Sequence, residues 1–269
     1  VFTADPKVLQ RLEPHVRRIL VVDPNPAAAR LLADLMKGLG ARDIKFEPEE
    51  RRALELAREI DPQIIFVERS GQRLDGESFT KKLRRSSLSC RKVPVIMVTA
   101  DATASTIKGA RDAGVHEFLR KPFTAGDLLR RVATVALKPR DWIEAVGYVG
   151  PDRRRFNSGE YTGTRKRKAD TAVSKGEIVA KATDQAVRIL RSAIAQFDSD
   201  PAQALRAIRE QATTLKRLST EDGGNAQLAA AVAPLEMSLA SGAPTRADLE
   251  APVRGVVDLY PETAEPKAA

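Results

Sequence analysis

Across residues 17–138, short apolar runs alternate with stretches whose apolar residues recur at helical spacing. The runs fall at 19–22, 44–46, 64–67, 95–98 and 118–119. The first, third and fourth are continuous and rich in β-branched residues, as expected of strands buried on both faces. Between them, Leu31, Leu32, Leu35 and Leu39 recur at helical spacing after Pro26, and Leu54, Leu56 and Ala57 do so before Asp61-Pro62. Further helices are predicted at 78–86, 104–113 and 124–137, the last with Thr124 and Asp127 as a capping pair. Five βα alternations predict a doubly wound α/β fold around a five-stranded parallel sheet. Residues 1–16 are expected to form an N-terminal helical segment, with the helix itself over 4–15.

The pattern then dissolves. Residues 139–172 are expected to be a basic linker, since 151–168 hold Gly, Pro and seven basic residues with little to bury. Helical periodicity returns over 173–259, a smaller all-α module. One stripe is Val179, Ala182, Ala186, Ile189, Ala193 and Phe197. A second, Leu205, Ile208, Ala212 and Leu215, follows Asp200-Pro201, a cap and first-turn pair. A third, Leu228, Val232, Leu235 and Leu239, contains Pro234, expected to kink or interrupt it. A fourth helix is expected over 247–257, with Pro252 as a weak point, and a disordered tail over 260–269.

Composition narrows the class. The chain has 269 residues and one cysteine, Cys90, which excludes an internal disulfide and fits a reducing cytoplasm. No stretch of about 18 apolar residues could span a bilayer, and residues 1–20 lack the apolar centre of a secretory signal. Net charge is +8 over residues 1–138, +3 over 139–172 and −2 over 173–269. A basic front half suits an anionic partner or simply a solvated surface. His15 and His116 are the only histidines, so a zinc site is not expected, and the C-terminal helices have no histidine for phosphotransfer. Cys90 reads as a packing residue.

In a doubly wound sheet, ligands gather beyond the carboxyl ends of the strands. Those ends carry Asp23, Glu68, Thr99 and Lys121-Pro122. Two carboxylates, a hydroxyl and an ammonium should therefore meet in one crevice.

At these residues the chain resembles the receiver domain of bacterial two-component response regulators, of the chemotaxis-regulator type. Ile19-Leu20-Val21-Val22-Asp23 looks like the family's first strand, and Asp61 through Asp75-Gly76 like its third strand and following loop. Val93-Pro94-Val95-Ile96-Met97-Val98-Thr99-Ala100 looks like the fourth, and Phe118-Leu119-Arg120-Lys121-Pro122 like the fifth, with Phe118 at the switch aromatic. The resemblance covers about half the chain and implies a flavodoxin-like receiver fold.

Two departures change what it implies for function. Receivers place the phosphoryl-accepting aspartate where this chain has Glu68, and a second acidic residue where it has Pro24. The family's reaction uses a carboxylate nucleophile and a divalent ion held by acidic groups. Magnesium demands near-octahedral oxygen ligands at about 2.0–2.1 Å. Glu68 displaces its carboxylate by roughly 1.5 Å, one C–C bond. An error on the order of 1 Å can cost about 100-fold in rate. No catalytic residue and no cofactor or metal is therefore expected, and Glu68 should pair with Lys121 directly. That pair reads either as an imitation of phosphoaspartate or as a silent crevice.

The expected function is a non-enzymatic, phosphorylation-independent adaptor in a two-component or phosphorelay-type pathway. Its partners would be proteins: a histidine kinase, a motility or cell-cycle component, or a second copy joined through the C-terminal helices. Two alternatives stand beside it. In one, Arg153, Arg154, Arg155, Arg165 and Arg167 clamp a cyclic dinucleotide such as cyclic-di-GMP, with Phe156 and Tyr161 available for stacking. The Arg-x-x-Asp match at Arg167–Asp170 carries no weight alone, because Arg58–Asp61 matches too. In the other, the chain is a working phosphorelay member despite Glu68.

Overall fold

The computed structural model describes residues 5–153, 175–221 and 224–261. These divide into two compact units, one of residues 5–143 with 148–153, the other of 144–147 with 175–221 and 224–261.

The first unit is built on five parallel strands, β1 (Arg18–Val22), β2 (Asp43–Phe46), β3 (Ile64–Glu68), β6 (Val95–Thr99) and β7 (Glu117–Arg120), in the order β2-β1-β3-β6-β7. A small hairpin of β4 (Ser70–Gly71) and β5 (Leu74–Asp75) follows β3. The helices are α1 (Pro6–Leu12), α2 (Pro26–Gly38), α3 (Glu50–Ile60), α4 (Gly76–Arg85), α5 (Ala104–Ala113) and α6 (Ala125–Leu137).

Period-two alternation sorts the strand residues between two apolar layers. Ile19, Val21, Ile64, Phe66, Ile96, Val98 and Leu119 face one layer, where they meet Leu32 and Met36 of α2 and Leu128 and Val132 of α6. Leu20, Val22, Ile65, Val67, Val95, Met97 and Phe118 face the other, with Ala53, Phe79, Leu83 and Ala110 from α3, α4 and α5. Each fully buried Val, Leu or Ile contributes about 1.5–3 kcal/mol, which is why the runs need no polar alternation. Cys90 is buried in the second layer, its thiol 3.4 Å from the Ala57 carbonyl. Helix starts are locally encoded. Asn25 accepts from the backbone N–H of Ala27 and Ala28 ahead of Pro26, and Thr124 and Asp127 form the expected capping box.

Three sequence expectations need correction. Leu31 is 59% exposed, so the buried side of α2 is Ala29, Leu32, Ala33 and Met36. Part of the expected linker is ordered, because β8 (Trp142–Glu144) and β9 (Val149–Pro151) form a two-stranded sheet. Its strands are three residues each, too short for alternation to show in sequence. Pro234 does not interrupt its helix. It lies on the exposed face, where the missing N–H disturbs no packed neighbour.

The second unit carries α7 (Lys175–Ala195), α8 (Pro201–Thr220), α9 (Ala226–Ala240) and α10 (Arg246–Val257). Each helix packs on the next, and α10 returns against α7, closing a four-helix arrangement. Asp200 caps α8 as its sequence implies. Ala186, Ile189, Ala193, Ile208, Ala212, Leu215, Val232, Leu235 and Val253 are buried inside it. No helix among the described residues is long and apolar enough to cross a membrane. The expected tail over 260–269 lies almost wholly outside the described residues.

Candidate functional site

The strand order reverses at β1 and β3, where the chain continues from β1 to the neighbouring β2 on one side and from β3 to β6 on the other, opening a crevice at their carboxyl ends. Register brings the crevice residues together, since Val22 lies opposite Val67 and Glu68 opposite Val98. Lys121 reaches in from the end of β7, tied to β6 by its N–H on the Thr99 carbonyl at 2.8 Å. The Lys121-Pro122 peptide is cis.

The Lys121 Nζ donates to Glu68 Oε2 at 2.7 Å and to Asp23 Oδ2 at 3.0 Å. The side chains are 13%, 8% and 25% exposed for Glu68, Asp23 and Lys121, so the three charges neutralise one another largely out of water. Burial lowers the Lys121 pKa, but the hydrogen bonds and charges of Glu68 and Asp23 outweigh it, and the ammonium ends above its ordinary value. The remaining carboxylate oxygens are also engaged. Asp23 Oδ1 accepts from the Asn25 N–H at 2.8 Å, and Glu68 Oε1 from the Arg69 N–H at 2.7 Å.

Thr99 is buried at the end of β6 but does not join this triad. Its hydroxyl accepts from the Asp101 N–H at 3.3 Å. Phe118 is 3% exposed and belongs to the packed layer against α3, α4 and α5. Pro24 presses on the β4–β5 hairpin, where a Cβ added to Gly71 would stand 2.5 Å from Pro24 Cγ. Gly76 is equally constrained, since a Cβ there would meet the Glu68 carbonyl at 2.4 Å. An apolar ring thus occupies the place where the receiver resemblance implies a second acid.

A divalent ion does not fit this donor set. All four carboxylate oxygens already accept hydrogen bonds, Pro24 supplies no ligand, and among the described residues no three acidic, imidazole or thiol groups cluster. A network that sequence reasoning missed rims the crevice. Arg69 Nη1 lies 2.7 Å from Asp101 Oδ2, with Glu77 Oε1 3.6 Å from Arg69 Nε. Asp101 also accepts from the Thr106 hydroxyl at 2.9 Å, and these hydrogen bonds, with the Arg69 charge, hold its carboxyl below the usual range. Only the position of Arg69 directly after Glu68 hinted at it.

Of the five arginines expected to form an anion site, Arg153 is engaged within the first unit. It lies 3.0 Å from Asp112 Oδ1, and its guanidinium stacks 4.4 Å from the Tyr148 ring centroid. Arg154, Arg155, Arg165 and Arg167, with Phe156 and Tyr161, lie outside the described residues.

Comparison with known proteins agrees with the fold. The family model described as "Response regulator receiver domain" matches residues 19–133. The KDP operon transcriptional regulatory protein KdpE of Escherichia coli (strain K12) is 34% identical over 120 residues, covering 45% of this chain and 51% of that protein. Chemotaxis protein CheY-3 of Vibrio cholerae is 27% identical over 115 residues, covering 43% of this chain and 88% of that protein. The match therefore spans about half of KdpE but most of CheY-3. Among solved structures, Vibrio cholerae chemotaxis protein CheY4 aligns at 21% identity and a TM-score of 0.42, covering 45% of this chain and 98% of that one. Residues 19–133 of this chain are a response regulator receiver domain, a five-stranded parallel α/β fold with a helical unit following it in sequence.

Proposed function

We propose that this protein is a non-enzymatic signalling adaptor whose receiver domain works without phosphoryl transfer, through contacts with other proteins of a two-component or phosphorelay-type pathway. One observation carries the proposal, the Lys121 ammonium held by both Glu68 and Asp23 at 2.7 and 3.0 Å. A carboxylate acts as a nucleophile only if its lone pair can reach phosphorus while a cation neutralises the incoming phosphoryl oxygens. In this crevice the Lys121 ammonium is spent on the acceptor itself. A histidine kinase or another protein would then be bound by receiver surfaces outside the crevice. Homodimerisation through the C-terminal helices gains no support from the apolar stripes, which the four helices bury against one another.

The test is incubation of the full chain with acetyl phosphate and magnesium, followed by intact-mass and peptide mass spectrometry. No phosphoryl adduct is expected on any receiver carboxylate, and a stable adduct at Glu68 or Asp23 would sink the reading. The double substitution Pro24→Asp, Glu68→Asp restores a second acid and a shorter acceptor, and should make the crevice labelable.

A further inference from the structure

The helical unit buries two amide side chains that the proposed function does not use. Gln203 and Gln211 of α8 are 0% and 5% exposed, although glutamine is mostly a surface residue. With Ala207, also buried, between them they stand at i, i+4 and i+8 and share one face of the helix.

That face holds the segment 144–147, which belongs to the same unit. The Gln203 Nε2 donates to Glu144 Oε1 at 3.0 Å and to the Ala145 carbonyl at 3.4 Å. The Gln211 Nε2 donates to the Glu144 carbonyl at 3.4 Å. Glu144 and Val146 are buried in turn. Helix α8 thus holds a short stretch of chain by one side chain and two main-chain carbonyls.

The fit is incomplete. Both partners of the Gln203 Nε2 are acceptors, so the amide cannot be turned over, and its Oε1 is left buried without a hydrogen bond. A carboxylate only accepts, so Glu144 satisfies half of the amide and cannot satisfy the other half. Arg206, one turn along α8, likewise holds a buried Nε–H without a partner. A buried polar atom left unpaired is destabilising, so a group that pairs it binds more tightly than one that does not. Gln203 is already engaged by Glu144 and Ala145, so a group that completes it enters in their place.

We propose that this face of α8 is a docking slot for a peptide segment of a partner protein, which displaces residues 144–147 and presents a carboxamide to Gln203. A Gln or Asn side chain donates to the Oε1 and accepts from the Nε2 at once, which the Glu144 carboxylate cannot do. Small apolar residues after it take the places of Ala145 and Val146, and a main-chain carbonyl accepts from Arg206. The crevice of the receiver plays no part, so phosphoryl labelling and peptide docking stand or fall separately.

Two fluorescein-labelled peptides spanning residues 141–148 test this, one of native sequence and one carrying Glu144→Gln. Anisotropy titrations would use the full chain, its Glu144→Ala variant, in which the resident segment is weakened, and its Gln203→Leu variant. The full chain should bind the Glu144→Gln peptide about tenfold more tightly than the native peptide. Glu144→Ala should bind both peptides about tenfold more tightly than the parent does, because its own segment competes less. In Gln203→Leu, with helix content by circular dichroism unchanged, the preference between the peptides should vanish. Should either variant lose helix content, the preference measured on the parent chain still decides. No saturable binding of the Glu144→Gln peptide, equal affinity for the two peptides, no gain in folded Glu144→Ala, or a preference that survives in folded Gln203→Leu would each overturn the proposal.

Discussion

Lys121 and Arg84 are both cations withdrawn from water within one receiver domain, at opposite edges of its sheet, and they are accommodated in different ways. Lys121 is a quarter exposed and faces two carboxylates. Arg84 is fully buried and, among the described residues, has no carboxylate partner. Its guanidinium donates to the carbonyls of Gly114 at 3.0 Å, Arg91 at 2.7 Å and Val93 at 2.9 Å, and to His116, with the Trp142 ring centroid 5.4 Å away. Burial pulls its pKa down to about 9, which still leaves it charged at neutral pH. Carbonyl dipoles and an indole face replace the counter-ion.

The difference teaches which edge tolerates change. Three side chains at strand ends suffice for the Lys121 triad, and substitutions there alter chemistry more than folding. The Arg84 site depends on main-chain carbonyls from two segments, 91–93 and Gly114, and on the β8–β9 pair. Gly114 has φ +91°, and a Cβ there would meet the Val149 carbonyl at 2.7 Å, so the close approach of β9 needs glycine. Nearby, the Tyr148 hydroxyl donates to the Pro151 carbonyl at 2.6 Å, and burial pushes its pKa up to about 12.

Substitutions can break or sharpen this contrast. The largest effect is expected at the amino-terminal edge from Glu117→Ala, which removes the buried carboxylate 3.1 Å from the 6%-exposed Arg131 and should cost about 3–5 kcal/mol in urea unfolding. Arg84→Met keeps bulk but leaves buried carbonyls unmatched, so roughly 2–4 kcal/mol should be lost. If it proved neutral, the guanidinium would be a tolerated guest and the comparison would fail.

At the crevice, Glu68→Ala should cost only about 1.5 kcal/mol near neutral pH, because Asp23 still holds Lys121. The pH dependence gives a sharper reading. The folded-state pKa of Lys121 is raised, so the stability it contributes is complete below the unfolded lysine value of about 10.4 and disappears as pH rises through the folded value. The gap in urea midpoint between the parent protein and Glu68→Ala should therefore narrow above pH about 10.4. A constant gap would mean that the triad is not what Glu68 stabilises.

The smallest effect serves as a reference away from both contrasts. Thr124→Ala removes the α6 cap and should cost about 1 kcal/mol. The capping hydrogen bonds from Thr124 hold Asp127 below its ordinary pKa, so their contribution is present above the unfolded value and fades as pH falls through the folded one. The penalty for Thr124→Ala should accordingly shrink in acid.

Much of the receiver was legible in the sequence because its signals are local. Runs 19–22, 64–67 and 95–98 announce strands covered on both faces, and Asn25-Pro26 and Thr124-Asp127 announce helix starts, whatever the rest of the chain does. The parallel sheet then carries Asp23, Glu68 and Lys121 to one edge, so their convergence followed from strand order alone. The helical tail was legible for the same reason, although its buried faces proved broader than the stripes, taking in Val187, Leu190, Ala204 and Ala207.

What only the tertiary structure decided is where isolated polar residues go. Arg84 reads as one more charge on a basic helix, His116 as a lone imidazole and Trp142 as a linker aromatic, because nothing within a few residues of each one marks it. Their meeting places Arg84 beside residues 32 and 58 positions further along the chain. The strand pattern repeats every two residues and the helix pattern about every four, so a short window captures both. Burial of a single cation depends on carbonyls supplied from elsewhere in the fold, and no window contains them.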